Sequence, residues 1–181
     1  MNEYDYSNTG LALTRSFEGL RLQAYQDSAG VWTIGYGHTG SEVHRGQCVS
    51  ETEAETLLRS DLSSAVRAVR KAVQVDLAQH QFDALVDFCF NTGSGSFLGS
   101  SLLRYVNQGE FDNATAQFGR WVHAGGKVLP GLVRRRAAEA ALFSGHRFPA
   151  DETVLSAYQH PSPDVGVAEP GSALASAGGG R

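Results

Sequence analysis

The hydrophobic pattern of this sequence changes its period twice, and these changes constrain the fold more than any other feature. Residues 8–19 have apolar side chains at helical spacing, and Gly19 stands where a glycine commonly ends a helix. Over residues 20–49, short apolar segments alternate instead with turns, which predicts a small antiparallel sheet. Gly35 and Gly37 lie inside its predicted second strand, where glycine often marks the close approach of another group. The strands are predicted near residues 22–25, 31–36 and 43–49.

The helical period returns at the segment Ser50–Glu53, which has the form of a capping box. Ser50 is the predicted N-cap and Glu53 the third residue of a helix that continues to about Val73. Glycines separate the helical patterns that follow. Four further helices are predicted at residues 79–91, 97–108, 110–123 and 131–144.

A small sheet followed by a run of helices is typical of α+β proteins, in which a cleft is expected between the lobes. We assign the β-rich lobe to about residues 20–50 and the helical lobe to about residues 51–148, so that residues 1–148 form one domain. Residues 149–181 are interpreted as a largely flexible C-terminal extension, because 15 of the 21 residues from 161 to 181 are Pro, Gly, Ser or Ala. The extension could also be a cloning remnant or a segment that contacts membrane or wall, although its acidic character disfavours that contact.

Apolar residues at helical spacing predict the core of the helical lobe. Two cysteines are too few for a disulfide scaffold, and Cys89, among apolar neighbours, is predicted to be a buried thiol. Neither a Cys-x-x-Cys nor a His-Glu-x-x-His spacing is present, so we expect no metal and no other cofactor. The predicted core residues are Leu85, Phe88, Leu102, Leu103, Val106, Phe118, Leu132 and Leu142.

Composition and charge exclude several classes of protein. A chain of 181 residues that is 41% hydrophobic and 19% charged is neither disordered nor embedded in a membrane. The net charge of −4 is the sum of −4 over residues 1–60, +3 over residues 61–148 and −3 over residues 149–181. The basic middle of the chain could therefore bind an anionic polymer. The longest basic run is the triplet Arg134–Arg136, and we do not expect nucleic acid as a partner. The polar N-terminus carries no visible signal peptide or anchor, so stable membrane insertion is not expected.

Three polar residues in the first 33 positions are candidates for acid–base chemistry. Glu18 lies at the predicted C-terminal end of the first helix, where the partial negative charge of the carbonyls favours a protonated carboxyl. Asp27 lies in a polar turn, where an ionised carboxylate is better solvated. Thr33, on the adjacent strand, could hold a water at the same site. A protonated and an ionised carboxyl group in different environments are typical of an acid and base pair that cleaves glycosidic bonds. By their spacing alone, Glu18 and Asp27 could equally be surface charges.

The spacing of these residues resembles the catalytic triad of phage-type lysozymes, glycoside hydrolase family 24. Eight residues separate Glu18 from Asp27, and five separate Asp27 from Thr33. The resemblance extends in collinear order over roughly residues 9–147. The motifs that carry it include Phe17–Leu20, Ala24–Tyr25, Thr33–His38, Gln81–Leu85, Phe90–Gly93, Leu102–Leu103 and Gly131–Arg136.

The resemblance implies a lysozyme-like fold and an endolysin with muramidase activity, which hydrolyses the β-1,4 bond between N-acetylmuramic acid and N-acetylglucosamine in peptidoglycan. Glu18 would then be the general acid, and Asp27 with Thr33 would position the attacking water. The implied partner is peptidoglycan, and the enzyme is expected to be a monomer. It would accumulate in the host cytoplasm and reach the cell wall in the periplasm after a separate holin opens the inner membrane.

Four further residues are candidates for supporting roles, and the position of Phe90 matches one that lines the sugar groove in the family. Phe90 either lines the sugar groove or belongs to the core, and Asn91 either bonds acetamido groups or caps a helix end. Arg135 is expected to pair with Glu18 and orient it, while a solvated basic face is the alternative. His38 is expected to support the site as a hydrogen-bonded structural residue.

Two other classes of function stay open at this point. A peptidoglycan-binding module could keep the cleft without activity, and a zinc-dependent amidase or peptidase could cut the peptide part of the wall. The release of reducing sugar from purified sacculi separates a muramidase from both.

Overall fold

The computed structural model describes residues 4–146, which form seven helices and five strands. The chain divides into two compact units. One joins Met1–Phe17 to the segment that begins at Leu62, and the other is built around Glu18–Asp61. Within the described residues, no helix combines the length and the apolar character needed to cross a membrane.

The first helix, α1, covers Asn8–Glu18, as predicted. Gly19 follows it with a φ of +70°, a left-handed conformation that glycine adopts at little cost and that commonly ends helices. At the other end, Asp83 accepts hydrogen bonds from both the backbone N–H and the hydroxyl of Ser7. A carboxylate from a distant part of the chain therefore fixes the start of α1.

The unit around Glu18–Asp61 contains a three-stranded antiparallel sheet in the order β1-β2-β3. Its strands are Arg21–Gln26, Trp32–Gly35 and His38–Thr39. The predicted third strand at 43–49 is wrong, because a turn directly after β2 lets the next two residues form β3. Residues 47–49 lie instead beside β1, where Ala24 N–H donates to Gln47 O and Val49 N–H donates to Leu22 O, each over 2.9 Å.

The two glycines predicted to lie inside β2 differ in their surroundings. Gly35 ends the strand, and a β-carbon built on it would lie 3.3 Å from that of Ala54, so a close approach is confirmed there. Gly37 lies in the turn with a φ of +88° and has no atom within 4 Å of such a β-carbon. The prediction of a close approach is therefore wrong for Gly37, which serves the turn conformation instead.

The long helix α2 covers Glu51–Ala72 and begins with the predicted capping box. Glu53 N–H donates to the Ser50 hydroxyl over 3.2 Å, and the Glu53 carboxylate accepts from Ser50 N–H over 2.7 Å. The next helices are α3 at Gln79–Thr92, α4 at Ser94–Leu98, α5 at Ser101–Asn107, α6 at Phe111–Phe118 and α7 at Pro130–Phe143.

The region between α6 and α7 differs from its prediction. Helix α6 ends at Phe118 rather than near residue 123, and an exposed hairpin of two short strands follows. Strands β4 and β5 cover His123–Ala124 and Lys127–Val128, and Gly125 and Gly126 turn between them with positive φ. A Gly-Gly pair is a known signal for such a turn, so this hairpin was readable from the sequence.

The helical core lies around Phe88 of α3, whose ring packs edge-on against Phe118 and Trp121 at centroid distances of 5.5 and 5.4 Å. Cys89 is buried, as predicted, and burial raises the pKa of its thiol to about 12. Leu132, in the first turn of α7, was predicted to be in the core but is only half-buried. The other predicted core residues are confirmed as buried: Leu85, Phe88, Leu102, Leu103, Val106, Phe118 and Leu142.

Candidate active site

Glu18 is the last residue of α1, and its side chain is half-buried. The left-handed conformation of Gly19 turns the chain directly into β1, which begins at Arg21. The helix end and the sheet are therefore joined by two residues. This short connection places Glu18 in the same compact unit as Asp27 and Thr33.

Asp27 follows the last residue of β1 and organises the turn to β2. Its Oδ1 accepts hydrogen bonds from the backbone N–H groups of Ala29, over 2.9 Å, and Val31, over 2.8 Å. Its own N–H donates to Val31 O over 3.0 Å. Because both side-chain bonds recorded within residues 4–146 end on Oδ1, the second carboxylate oxygen can accept a proton from another molecule.

Thr33 is buried in β2, with 4% of its surface exposed, and pairs with Tyr25 of β1. Its hydroxyl donates to Val31 O over 3.1 Å. The Val31 carbonyl accepts a hydrogen bond from the Thr33 hydroxyl, and the Val31 N–H donates one to the Asp27 carboxylate. The backbone of one residue therefore connects these two side chains. Because the Thr33 hydroxyl hydrogen is used by Val31 O, its oxygen is available as an acceptor.

Phe90 and Asn91 lie in the last turn of α3, which ends at Thr92 with Gly93 as its C-cap. Phe90 is half-buried, and Asn91 is exposed. The Asn91 side chain does not cap this helix; its Oδ1 accepts a hydrogen bond of 2.6 Å from Nη2 of Arg136. Because an arginine cannot accept, the amide oxygen faces Arg136, and among residues 4–146 no group accepts from the amide NH₂ group, which can donate to another molecule.

Arg135 is buried in α7 and forms a bidentate ion pair with Asp87 of α3. Nε lies 2.9 Å from Oδ2 of Asp87, and Nη2 lies 3.0 Å from Oδ1. Burial would raise the pKa of Asp87, but Arg135 leads the interactions that bring this pKa below its ordinary value. The interpretation of Arg135 as part of a solvated basic face is therefore wrong, and its pairing with Glu18 stays a prediction.

A second buried ion pair lies beside the first. Nη2 of Arg136 is 2.8 Å from Oε1 of Glu139, and both side chains are almost fully buried. Burial raises the pKa of Glu139 well above its ordinary value, because the attraction of Arg136 offsets only part of that effect and Asp87 adds to it. Together with the two arginines, Asp87, Glu139 and Thr14 form a buried polar cluster that the sequence analysis above does not predict. The i, i+4 spacing of Arg135 and Glu139 on one helix was its visible signal.

His38 connects two carboxylates in the unit around Glu18–Asp61. Its Nδ1 lies 2.9 Å from Oδ1 of Asp61, and its Nε2 lies 2.9 Å from Oε1 of Glu42. Burial alone would lower the pKa of His38, but the hydrogen bonds to Glu42 and Asp61 outweigh it and raise the pKa above 6.5. The expected hydrogen-bonded character of His38 is therefore confirmed, while its support of catalysis stays a prediction.

In the described part of the chain, no three His, Cys, Asp or Glu side chains are grouped to hold a metal ion.

Sequence comparison relates the chain to phage enzymes. The family model described as phage lysozyme matches residues 15–139. An endolysin of Bacillus phage PZA is 49% identical over 140 residues, which are 76% of this chain and 54% of that protein. This chain thus spans about half the length of that relative, and 53% of the endolysin of Bacillus phage B103. An endolysin of Acyrthosiphon pisum secondary endosymbiont phage 1 is 43% identical over 76% of this chain and 96% of the phage protein.

Solved structures have the same fold. The muramidase domain of SpmX from Asticaccaulis excentricus is 46% identical, with a TM-score of 0.72 over 78% of this chain and 98% of that domain. A mutant of P22 lysozyme is 37% identical, with a TM-score of 0.74 over 78% of this chain and 99% of that structure. These similarities confirm the predicted lysozyme-like α+β fold. The chain belongs to the phage lysozyme family.

Proposed function

We propose that this chain is an endolysin with muramidase activity, which hydrolyses the β-1,4 bond between N-acetylmuramic acid and N-acetylglucosamine in peptidoglycan. Membership of the phage lysozyme family and the endolysins among its relatives support this proposal. The observation that carries the chemistry is the arrangement around Val31, which links the Asp27 carboxylate to the Thr33 hydroxyl. Glu18 completes the proposed catalytic residues from the end of α1.

The hydrogen bonds around Val31 define what these two side chains can offer a water molecule. Asp27 offers Oδ2, and Thr33 offers the lone pairs of an oxygen whose hydrogen already serves Val31. Both groups accept, so a water between them donates both hydrogens and directs its lone pairs elsewhere. In the proposed mechanism those lone pairs point at the anomeric carbon of the sugar.

The reaction then needs one proton donor and one proton acceptor. Glu18 gives its carboxyl proton to the glycosidic oxygen as the bond from the anomeric carbon to that oxygen breaks. The water oxygen bonds to the anomeric carbon, and Asp27 takes the proton that the water loses. This sequence forms no bond between enzyme and sugar, and it inverts the anomeric centre when water attacks opposite the leaving group.

The remaining parts of the proposal concern binding and delivery. Phe90 is proposed to line the sugar groove, and Asn91 to donate its amide hydrogens to acetamido carbonyl groups. Host lysis from the cytoplasm, after a separate holin opens the inner membrane, is proposed from the endolysin character of the relatives. We propose that the enzyme acts on periplasmic peptidoglycan as a monomer. Host cells that express the chain alone should then lyse only after chemical permeabilisation of the inner membrane.

The decisive experiment is mass spectrometry of purified sacculi digested by the wild-type chain. We expect new reducing ends on N-acetylmuramic acid, no new amino groups and no effect of a chelator. Glu18→Gln should lower the rate by about a hundredfold to ten-thousandfold, the range for loss of a general acid. Glu51→Gln is the matched control, because Glu51 is an exposed residue in the first turn of α2.

Each alternative function predicts a different outcome of this experiment. New amino groups would identify an amidase or peptidase, and binding of sacculi without any soluble product would identify a binding module. Near-normal lysis by Glu18→Gln would contradict the role of Glu18 while leaving the bond specificity intact.

A further inference from the structure

We propose that Thr14 and Asp87 are positioning residues that hold the last turn of α1, and with it Glu18, in place for catalysis. This inference rests on the proposed function, because it assigns to Glu18 the role of proton donor. It concerns a buried polar cluster, formed by Tyr6, Thr14, Asp87 and Arg135, that the proposed mechanism does not otherwise use.

Thr14 is a fully buried polar residue on a helix whose other buried positions are Gly10, Leu11 and Leu13. Its hydroxyl donates to Oδ1 of Asp87 over 2.7 Å. The Tyr6 hydroxyl oxygen lies 2.7 Å from Oγ1 of Thr14 and 2.7 Å from the Gly10 carbonyl oxygen. Hydrogen bonds with defined directions thus fix both the rotation and the axial position of α1, which apolar contacts alone do not specify.

A second partner, Arg135, also holds the Asp87 carboxylate in position. It is fully buried and receives two hydrogen bonds from the Arg135 guanidinium, so it cannot follow a displacement of Thr14. The same guanidinium lies 5.6 Å from the ring centroid of Phe17, the residue that precedes Glu18. The ion pair therefore contacts α1 at Thr14, one turn before Glu18, and at Phe17 in the last turn.

Helix geometry transmits this restraint to Glu18. In an α-helix the N–H of Glu18 donates to the carbonyl of Thr14, and residues four apart lie on the same face. Helix ends otherwise fray, because their last carbonyl groups have no partner within the helix. A proton donor at the end of a helix therefore gains precision from an anchor one turn earlier.

The test compares Thr14→Val with Thr14→Ser in the wild-type chain, by steady-state kinetics on solubilised peptidoglycan. Valine keeps the shape of threonine and removes the hydroxyl, whereas serine keeps the hydroxyl. For Thr14→Val we expect kcat to fall by about tenfold, since a displacement of about 1 Å can cost about a hundredfold. KM should stay close to the wild-type value, because substrate binding is not the property that changes. Thr14→Ser should restore most of kcat.

Thr115→Val is the matched control for loss of a threonine hydroxyl in the same compact unit. Thr115 is half-buried in α6, where its hydroxyl donates to the Phe111 carbonyl over 2.9 Å and lies 3.3 Å from the Ser144 hydroxyl; neither partner belongs to α1. Its kcat should equal that of the wild type. All assays are made below the onset of unfolding of each variant, measured by circular dichroism, so that loss of folded protein does not enter kcat.

Three results would overturn the inference: a wild-type kcat for Thr14→Val, an equal loss in Thr14→Ser, or an equal loss in Thr115→Val. If Thr14→Val does not fold, Asp87→Asn tests the same inference. Asparagine keeps the shape of the aspartate side chain but weakens its interaction with Arg135. The folded Asp87→Asn chain should show the same fall in kcat at unchanged KM, and a wild-type kcat would contradict the inference. Failure of the wild-type chain to release reducing ends would instead reject the proposed function.

Discussion

At the scale of single residues, the ion pair between Asp87 and Arg135 is stabilising only while both partners are present. Removing one charge leaves the other buried without compensation, which typically costs about 3–5 kcal/mol. We therefore expect Asp87→Ala to lower the free energy of unfolding by that amount in urea denaturation. Asp76→Ala is the control, because Asp76 is exposed and substitutions at such positions usually change stability by less than about 0.5 kcal/mol. Equal losses in the two variants would contradict the account of the buried pair.

His38 makes the stability of the protein depend on pH. Because Glu42 and Asp61 raise the pKa of His38 above 6.5, the folded protein binds the imidazole proton more tightly than the unfolded chain does. Its contribution is fully present below the unfolded value and is lost as the pH rises through the raised value. We expect the stability difference between wild type and His38→Gln to decrease from about pH 6 to about pH 8. The change should be about 1 kcal/mol or less, because Glu42 is 60% exposed and solvent screens its charge.

An NMR titration of the His38 ring checks the cause of this dependence. The wild-type midpoint should lie above 6.5, and Glu42→Gln should lower it by removing one of the two carboxylates. Burial raises the pKa of the Asp61 carboxyl, and its hydrogen bond to His38 opposes that rise. A wild-type midpoint at or below 6.5 would contradict the proposed role of the two carboxylates.

At the scale of elements, the contact of β2 with α2 depends on the absence of a side chain at Gly35. Gly35 has a φ of +66°, and an added β-carbon would lie 3.3 Å from that of Ala54. Gly37 has a similarly positive φ but open space around it. In urea denaturation, Gly37→Ala should cost about 1–2 kcal/mol for the left-handed backbone. Gly35→Ala should cost about 1 kcal/mol more, because the sheet and helix must also move apart. Equal costs would show that backbone conformation alone requires glycine at Gly35.

The elements predicted well from the sequence are those whose signals are local. Helix α1 ends at its glycine, and α2 begins at its capping box, because both signals act within one helical turn. Strands β3, β4 and β5 have two residues each, which is too short for an alternating pattern, so periodicity could not reveal them. The third strand was misplaced because residues 43–49 are apolar enough for a strand, while the turn at Gly37 decides the pairing.

The residues of the candidate site also differ in how far the sequence alone predicts them. Glu18, Asp27 and Thr33 lie within 16 consecutive residues, and we grouped them because their pattern and the surrounding motifs resemble those of phage-type lysozymes; their catalytic role stays a prediction. The partners of Arg135 were not accessible to the same reasoning. Thr14 and Asp87 are 73 residues apart, and only the packing of helices brings them together. Long-range polar contacts of this kind can be predicted only from the three-dimensional structure, because in the sequence each residue resembles an ordinary helix position.

At the scale of the whole molecule, the structure describes residues 4–146, which include the proposed catalytic residues, and the family match ends at residue 139. The predicted flexible extension at 149–181 lies outside the described residues, and the part from 161 to 181, rich in Pro, Gly, Ser and Ala, carries no apolar pattern. We therefore expect a chain that ends at residue 146 to keep the Tm and the specific activity of the full chain on purified sacculi.

A chain that ends at residue 129 provides the contrasting truncation. It lacks α7, and therefore loses the partner of Asp87 and the buried apolar side chains of Leu142 and Phe143. This chain should show no cooperative thermal transition, because a buried charge and an open core both oppose folding. Lower activity with an unchanged Tm in the chain ending at 146 would instead assign the extension a role in contact with the wall. Loss of the thermal transition in that chain would show that residues after 146 belong to the folded domain.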